Sequence, residues 1–131
     1  MNIVVLSGSL LSAPTCREQP SGTCIWALDV ATQLDEPTAS AAGVEHQRVS
    51  VPVVWSCDAV PPSWAAATEV VVAGVVRRRF FRSGGATQSR TEVVAATVVE
   101  VTKRRPIARA VERALASLGP GDQATLRSAA G

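Results

Sequence analysis

Aromatic residues are scarce in this sequence, with three Trp, two Phe and no Tyr in 131 residues, so Val and Ala must build most of its core. The one histidine, His46, stands in a polar segment with no Cys or carboxylate at metal-ligand spacing, and it reads as a surface histidine. With no second histidine there is no Ser-His-Asp constellation to assemble, and neither GxxxxGK[ST] nor GxGxxG occurs. Asp35 and Glu36 lie in a predicted loop rather than a pocket. These gaps argue against an enzyme, and no cofactor or metal is expected. The three cysteines, Cys16, Cys24 and Cys57, are odd in number and lack CxxC spacing, which argues against a zinc site and a disulfide framework. They are expected as buried thiols. No apolar run approaches the roughly 18 to 20 residues that cross a bilayer, and the first eight residues carry no basic signal region. A soluble cytoplasmic protein with no membrane partner is the expectation.

What the sequence does have is one domain's length, 47% apolar and 18% charged residues, and a divided charge. Residues 1–70 hold two basic and seven acidic side chains, whereas residues 71–113 hold ten basic and three acidic ones. The net charge of +2 conceals this division. All basic residues except Lys103 are arginine, whose planar fork suits phosphates and base stacking. A polyanionic partner is the first functional class this indicates.

Periodicity predicts five strands. Residues 2–11 form a first strand that bends at Gly8, and Pro20-Ser21-Gly22 makes a hairpin turn. Residues 24–33 alternate Trp26, Leu28 and Val30 against Ala27 and Asp29, giving the second strand. Residues 34–47 read as a mobile surface loop. Residues 48–55 form the third strand, with Pro52 favouring an edge or a bulge. Residues 58–67 are predicted as a loop into a short helix. The fourth strand, 69–82, changes from a Val-rich half to Arg77-Arg78-Arg79-Phe80-Phe81-Arg82. Ser83-Gly84-Gly85-Ala86 turns the chain into the fifth, 90–101. Beyond Pro106, Ile107, Val111, Ala114, Leu115 and Leu118 at helical spacing predict a C-terminal amphipathic helix, then a frayed tail. The expected architecture is all-β: a five-stranded Greek-key OB-fold barrel over residues 1–102, with a short helix between strands three and four. Residues 103–131 add a basic segment, the C-terminal helix and the tail.

Four segments resemble the bacterial single-stranded DNA-binding proteins. They are Met1-Asn2-Ile3-Val4-Val5-Leu6-Ser7-Gly8-Ser9-Leu10; Pro20-Ser21-Gly22-Thr23 with Leu28-Asp29-Val30-Ala31-Thr32; Val51-Pro52-Val53-Val54-Trp55; and Val72-Ala73-Gly74-Val75-Val76-Arg77 with Thr91-Glu92-Val93-Val94-Ala95. The resemblance implies an OB-fold homo-oligomer, a tetramer by the family's pattern, that coats single-stranded DNA, or RNA, without sequence preference. Bases stack on aromatics while basic residues track phosphates, in nucleoid-associated replication, repair or recombination. Carried over by position, Trp55 matches the aromatic closing the third strand and Phe81 the aromatic on the hairpin arm. Arg77 and Arg79 share Phe81's face by alternation and lead as phosphate contacts. Phe80, Arg82, Arg48 and Arg90 complete the candidate site.

The departures point to a divergent, actinobacterial-like paralogue. Two further stacking tryptophans of the family fall near Glu36 and at Val49, Asp29 lies on the face expected to meet DNA, and the acidic tail that recruits repair enzymes has no counterpart. Weaker or differently placed binding is expected, without recruitment through that tail. Other readings stand beside these. The arm's aromatics can pack on a neighbouring strand or subunit, and Trp55 can be core. Lys103-Arg104-Arg105 either extends the phosphate track or is solvated. Trp26 reads as core and Trp64 as a barrel plug. The alternative function is a barrel that oligomerises with a full-length family member and binds little DNA itself.

Overall fold

A computed structural model of the protein describes residues 1–34, 36–43, 48–57, 59–101, 109, 112, 115 and 116. Six strands and one short helix follow in order: β1 Val4–Leu10, β2 Thr15–Glu18, β3 Cys24–Gln33, α1 Glu36–Ala41, β4 Arg48–Ser56, β5 Glu69–Ser83 and β6 Ala86–Glu100. The sheet order is β1-β5-β6-β4-β3-β2, and a further β1–β3 pairing closes five of the strands into a ring. β4 and β6 run parallel and the other neighbours antiparallel. That is the OB-fold connectivity, with β2 added outside the ring on β3.

Closure depends on β1 serving two partners. Val4 to Ser9 pair with β5, and Ser9 and Leu10 pair with Ala31 and Val30 of β3. Gly8 sits at the crossing, where a Cβ would run into the Ala31 carbonyl. Asn2 prolongs the β1–β5 ladder with its side chain. Its Nδ2 donates to the Val76 carbonyl at 2.8 Å, and the Val76 N–H donates to its Oδ1 at 2.9 Å.

The barrel interior is filled by Leu10, Leu28, Val30, Val53, Val70, Val72, Val93 and Val98, and Trp64 is buried among them. Val71 and Ala73 point the other way yet are equally buried, covered by Val5 and Val101. Two covered faces explain why 70–73 reads as a continuous apolar run rather than an alternating one.

Three sequence expectations are corrected. The helix expected within 58–67 is absent from the described residues there; residues 61–68 instead form two tight turns, with the Trp64 N–H donating to Pro61 and the Thr68 N–H to Ala65. Adjacent prolines at 61 and 62 withhold donors and disfavour helix before each ring. Trp64 still plugs the core, donating from Nε1 to Glu100 Oε2 at 3.2 Å. The segment expected as a loop over 34–47 contains the helix α1. The polar stretch before Pro20 contains a sixth strand, β2, so the hairpin turn joins two paired strands. The C-terminal helix expected over 107–118 falls largely outside the described residues, as does His46.

The expectation of three thiols fails as well. Cys16 faces Trp26, Cys24 faces Glu18, and on this antiparallel hairpin the two cysteines become diagonal neighbours with Cα atoms 5.8 Å apart, joined as a disulfide. Closing a loop with a sequence separation of 8 is worth about 2.5 kcal/mol through the unfolded chain.

Ala67 holds φ at 72° while its N–H donates to the Leu10 carbonyl at 2.8 Å. The left-handed conformation costs a side-chain-bearing residue about 1–2 kcal/mol, more than the unfolded-state entropy that glycine adds. Ala67→Gly is therefore expected to raise Tm by roughly 2–5 °C in thermal unfolding. An unchanged or lowered Tm would contradict the strain.

Candidate nucleic-acid interface

Beyond Gly74 the β5–β6 hairpin leaves the barrel as an arm. Its tip is a two-residue turn with φ of 60° at Gly84 and 82° at Gly85, which keeps Ser83 and Ala86 paired. Strand alternation then sorts the arm's side chains. One face carries Arg77, Arg79 and Phe81, paired with Glu92, Arg90 and Gln88; the other carries Arg78, Phe80 and Arg82.

On the first face, Glu92 is 3% exposed and the one buried charge among the described residues. Arg77 donates from Nη2 to its Oε1 at 2.5 Å, so part of this guanidinium's charge is spent inside the protein. Arg79 and Arg90 stand directly opposite each other, an arrangement of like charges that destabilises a sheet until a counter-charge lies between them. Asp29 relieves it only in part, its Oδ1 lying 3.9 Å from Arg90 Nη2 with both side chains half exposed. Arg79 lies over the Phe81 ring at 5.6 Å, and its buried Nε has no acceptor in the protein. Two opposed guanidinium groups with only a distant carboxylate beside them fit an anionic oxygen.

This face opens into a cleft of about 590 Å³. Its floor is the outward side of β3, β4 and β6, with Ala27, Pro52, Val54 and Val94. Arg77, Arg79 and Arg90 wall one side, and Arg17 and Gln19 of the β2 hairpin also line it.

The eight residues singled out from the sequence therefore separate. Arg77, Arg79, Phe81 and Arg90 come together on one face. Trp55 borders the cleft, but its ring is stacked on Trp64 on the core side, with centroids 6.1 Å apart and planes 17° from parallel. Phe80, 66% exposed, and Arg82 lie on the opposite face of the arm, where Arg78 covers the Phe80 ring at 5.9 Å. Arg48 pairs with Gln33 at the far end of β4 and lines a separate cleft with Ser7, Ser9 and Glu69. Trp26 packs against the core, its Nε1 buried without a partner.

Sequence reasoning missed Arg17 and the role of Glu92. The signal for Arg17 was present in Cys16 and Cys24 flanking a Pro-Ser-Gly turn, which sets the register of a hairpin. Among the described residues no group of His, Cys, Asp or Glu is placed to hold a metal ion, and no helix is long and apolar enough to cross a membrane.

No protein-family model matches the chain, and no curated protein matches it in sequence. Among solved structures it is similar to the Plasmodium falciparum SSB in its complex with ssDNA. The TM-score is 0.63 at 13% identity, covering 78% of this chain and 96% of that one. At that identity the likeness is one of fold: this is an all-β OB-fold barrel of the kind seen in that single-stranded DNA-binding protein.

Proposed function

We propose that the protein binds single-stranded DNA without sequence preference, along the face of the arm that carries Arg79, Arg90 and Phe81. The observation that carries the reading is the opposed Arg79–Arg90 pair beside an aromatic ring. Phosphate oxygens fill the place between the arginines, and a base stacks on Phe81. Every base has a π-face, so this chemistry is indifferent to sequence. The OB-fold shared with a protein solved on ssDNA supports the reading. Homo-oligomeric assembly, a tetramer by the family's pattern, and a cytoplasmic place in replication, repair or recombination belong to the same proposal and rest on the sequence resemblance. No catalytic step is part of it.

The test is fluorescence anisotropy of labelled oligo-dT at rising salt. Because the Trp26, Trp55 and Trp64 rings pack on the core side, label on the DNA reports better than intrinsic fluorescence. Each phosphate contact to a single strand contributes a slope of about −0.7 in log K against log salt, so Arg79 and Arg90 predict about −1.4. Competition with oligo-U separates DNA from RNA. Asp29 and Glu92 within the cleft favour the alternative, a barrel that pairs with another single-strand binder. Absence of oligo-dT binding at low salt, with mixed oligomers recovered, would establish that instead.

A further inference from the structure

Arg17 lines the same cleft as Arg79 and Arg90, yet the strand that carries it has almost nothing to hold it. All four residues of β2 are exposed, so the strand buries no side chain in the core. Among the described residues it pairs with β3 alone, and the turn adds two backbone bonds, from the Gln19 N–H to Thr23 and from the Gly22 N–H to Gln19. A two-stranded ribbon without a buried face is marginal in water. The Cys16–Cys24 disulfide is the covalent tie, and it closes just beside Arg17. Cys16 is exposed, which leaves the bond open to an attacking thiolate.

We propose that β2 is a tethered wall of the nucleic-acid cleft, with Arg17 contacting the bound strand's phosphates, and that reduction of Cys16–Cys24 by a dithiol releases this wall and weakens binding. The inference rests on the single-strand reading above. The exchange is balanced: a dithiol's thiolate attacks one sulfur, the second thiol resolves the mixed disulfide, and the dithiol leaves oxidised. Two electrons and two protons pass to Cys16 and Cys24. Released, β2 no longer holds Arg17 at the cleft, and one phosphate contact is lost to chain motion.

The experiment measures oligo-dT anisotropy on the full chain, oxidised and after dithiothreitol, for the parent, Arg17→Ala and the Cys16→Ser/Cys24→Ser double variant. Hydrogen exchange at residues 15–18 is followed in parallel. Reduction is expected to weaken binding about three- to tenfold, the size of one lost phosphate contact at low salt. Arg17→Ala should cost the same in the oxidised protein and less than about twofold in the reduced one. The double variant should match the reduced parent with or without dithiol, which separates this effect from Cys57. Exchange at 15–18 should speed up on reduction. Equal affinity in both redox states, or an equal Arg17→Ala effect in both, overturns the proposal. Unchanged exchange overturns the tether whether or not DNA binds. Loss of all oligo-dT binding in the oxidised parent overturns the single-strand reading and, with it, the contact by Arg17.

Discussion

Phe81→Ala is expected to weaken oligo-dT binding at least about fivefold, whereas Phe80→Ala, one residue earlier, should change it less than about twofold. The contrast follows from the arm's alternation, which puts the two rings on opposite faces, Phe80 exposed and Phe81 half-buried. A stacked base is worth roughly 1–3 kcal/mol, or about 5- to 150-fold in affinity. Arg79→Ala is expected to cost a comparable amount, because it removes a phosphate donor and the cation lying 5.6 Å over Phe81. The double variant should lose less than the two singles added together, since each side chain positions the other. Arg79→Ala should also flatten the salt slope by about 0.7, and Phe81→Ala should leave it unchanged. Arg77 is a poorer probe, as its removal strands the buried Glu92 carboxylate and mixes a folding defect with a binding one. Should Phe80→Ala cost as much as Phe81→Ala, DNA lies on the other face of the arm and the opposed arginines are not its site.

The face of the arm was legible because alternation along a strand needs no partner. Arg77, Arg79 and Phe81 share a side whatever β5 pairs with. The same rule located β3 at Cys24–Gln33, where one face is core and the other open. β2 escaped because Thr15-Cys16-Arg17-Glu18 has no apolar period to read; pairing with β3 and the disulfide make it a strand. Pro61 and Pro62 lie in the segment expected to lead into a short helix, and they serve turns that drop the indole into the barrel. Which residues face one another across β5 and β6 was not legible at all. The pairing slips by one at the bulge, from Ala73 opposite Thr97 to Gly74 opposite Ala95. Without that slip Val93 would stand opposite Arg77, and Glu92 would fall on the other face of the sheet. The Arg77–Glu92 pair and the Arg79–Arg90 opposition are both products of it.

Gly74 makes the slip possible, and Gly74→Ala is expected to remove a large share of the fold's stability. A Cβ there would drive into the Val94 carbonyl and crowd the Ala95 Cα, both backbone atoms of a paired strand with no rotamer to yield. Overpacking against side chains typically costs 1–3 kcal/mol, and against backbone at the centre of a sheet about 3 kcal/mol or more is expected. For a domain of this size that lowers Tm by roughly 10–20 °C. The neighbouring Val75→Ala, at a side chain 40% exposed, should cost less than about 1 kcal/mol and serves as the control. The structure can evade the clash only by moving β5 away from β6 or by sliding the register, and either route separates Arg79 from Arg90. Whatever fraction of Gly74→Ala stays folded at low temperature should thus bind oligo-dT more weakly than the parent. A variant that melts within about 3 °C of the parent and binds normally would show that the strands do not approach so closely at the bulge. The register on which the arginine face depends would then have to be redrawn.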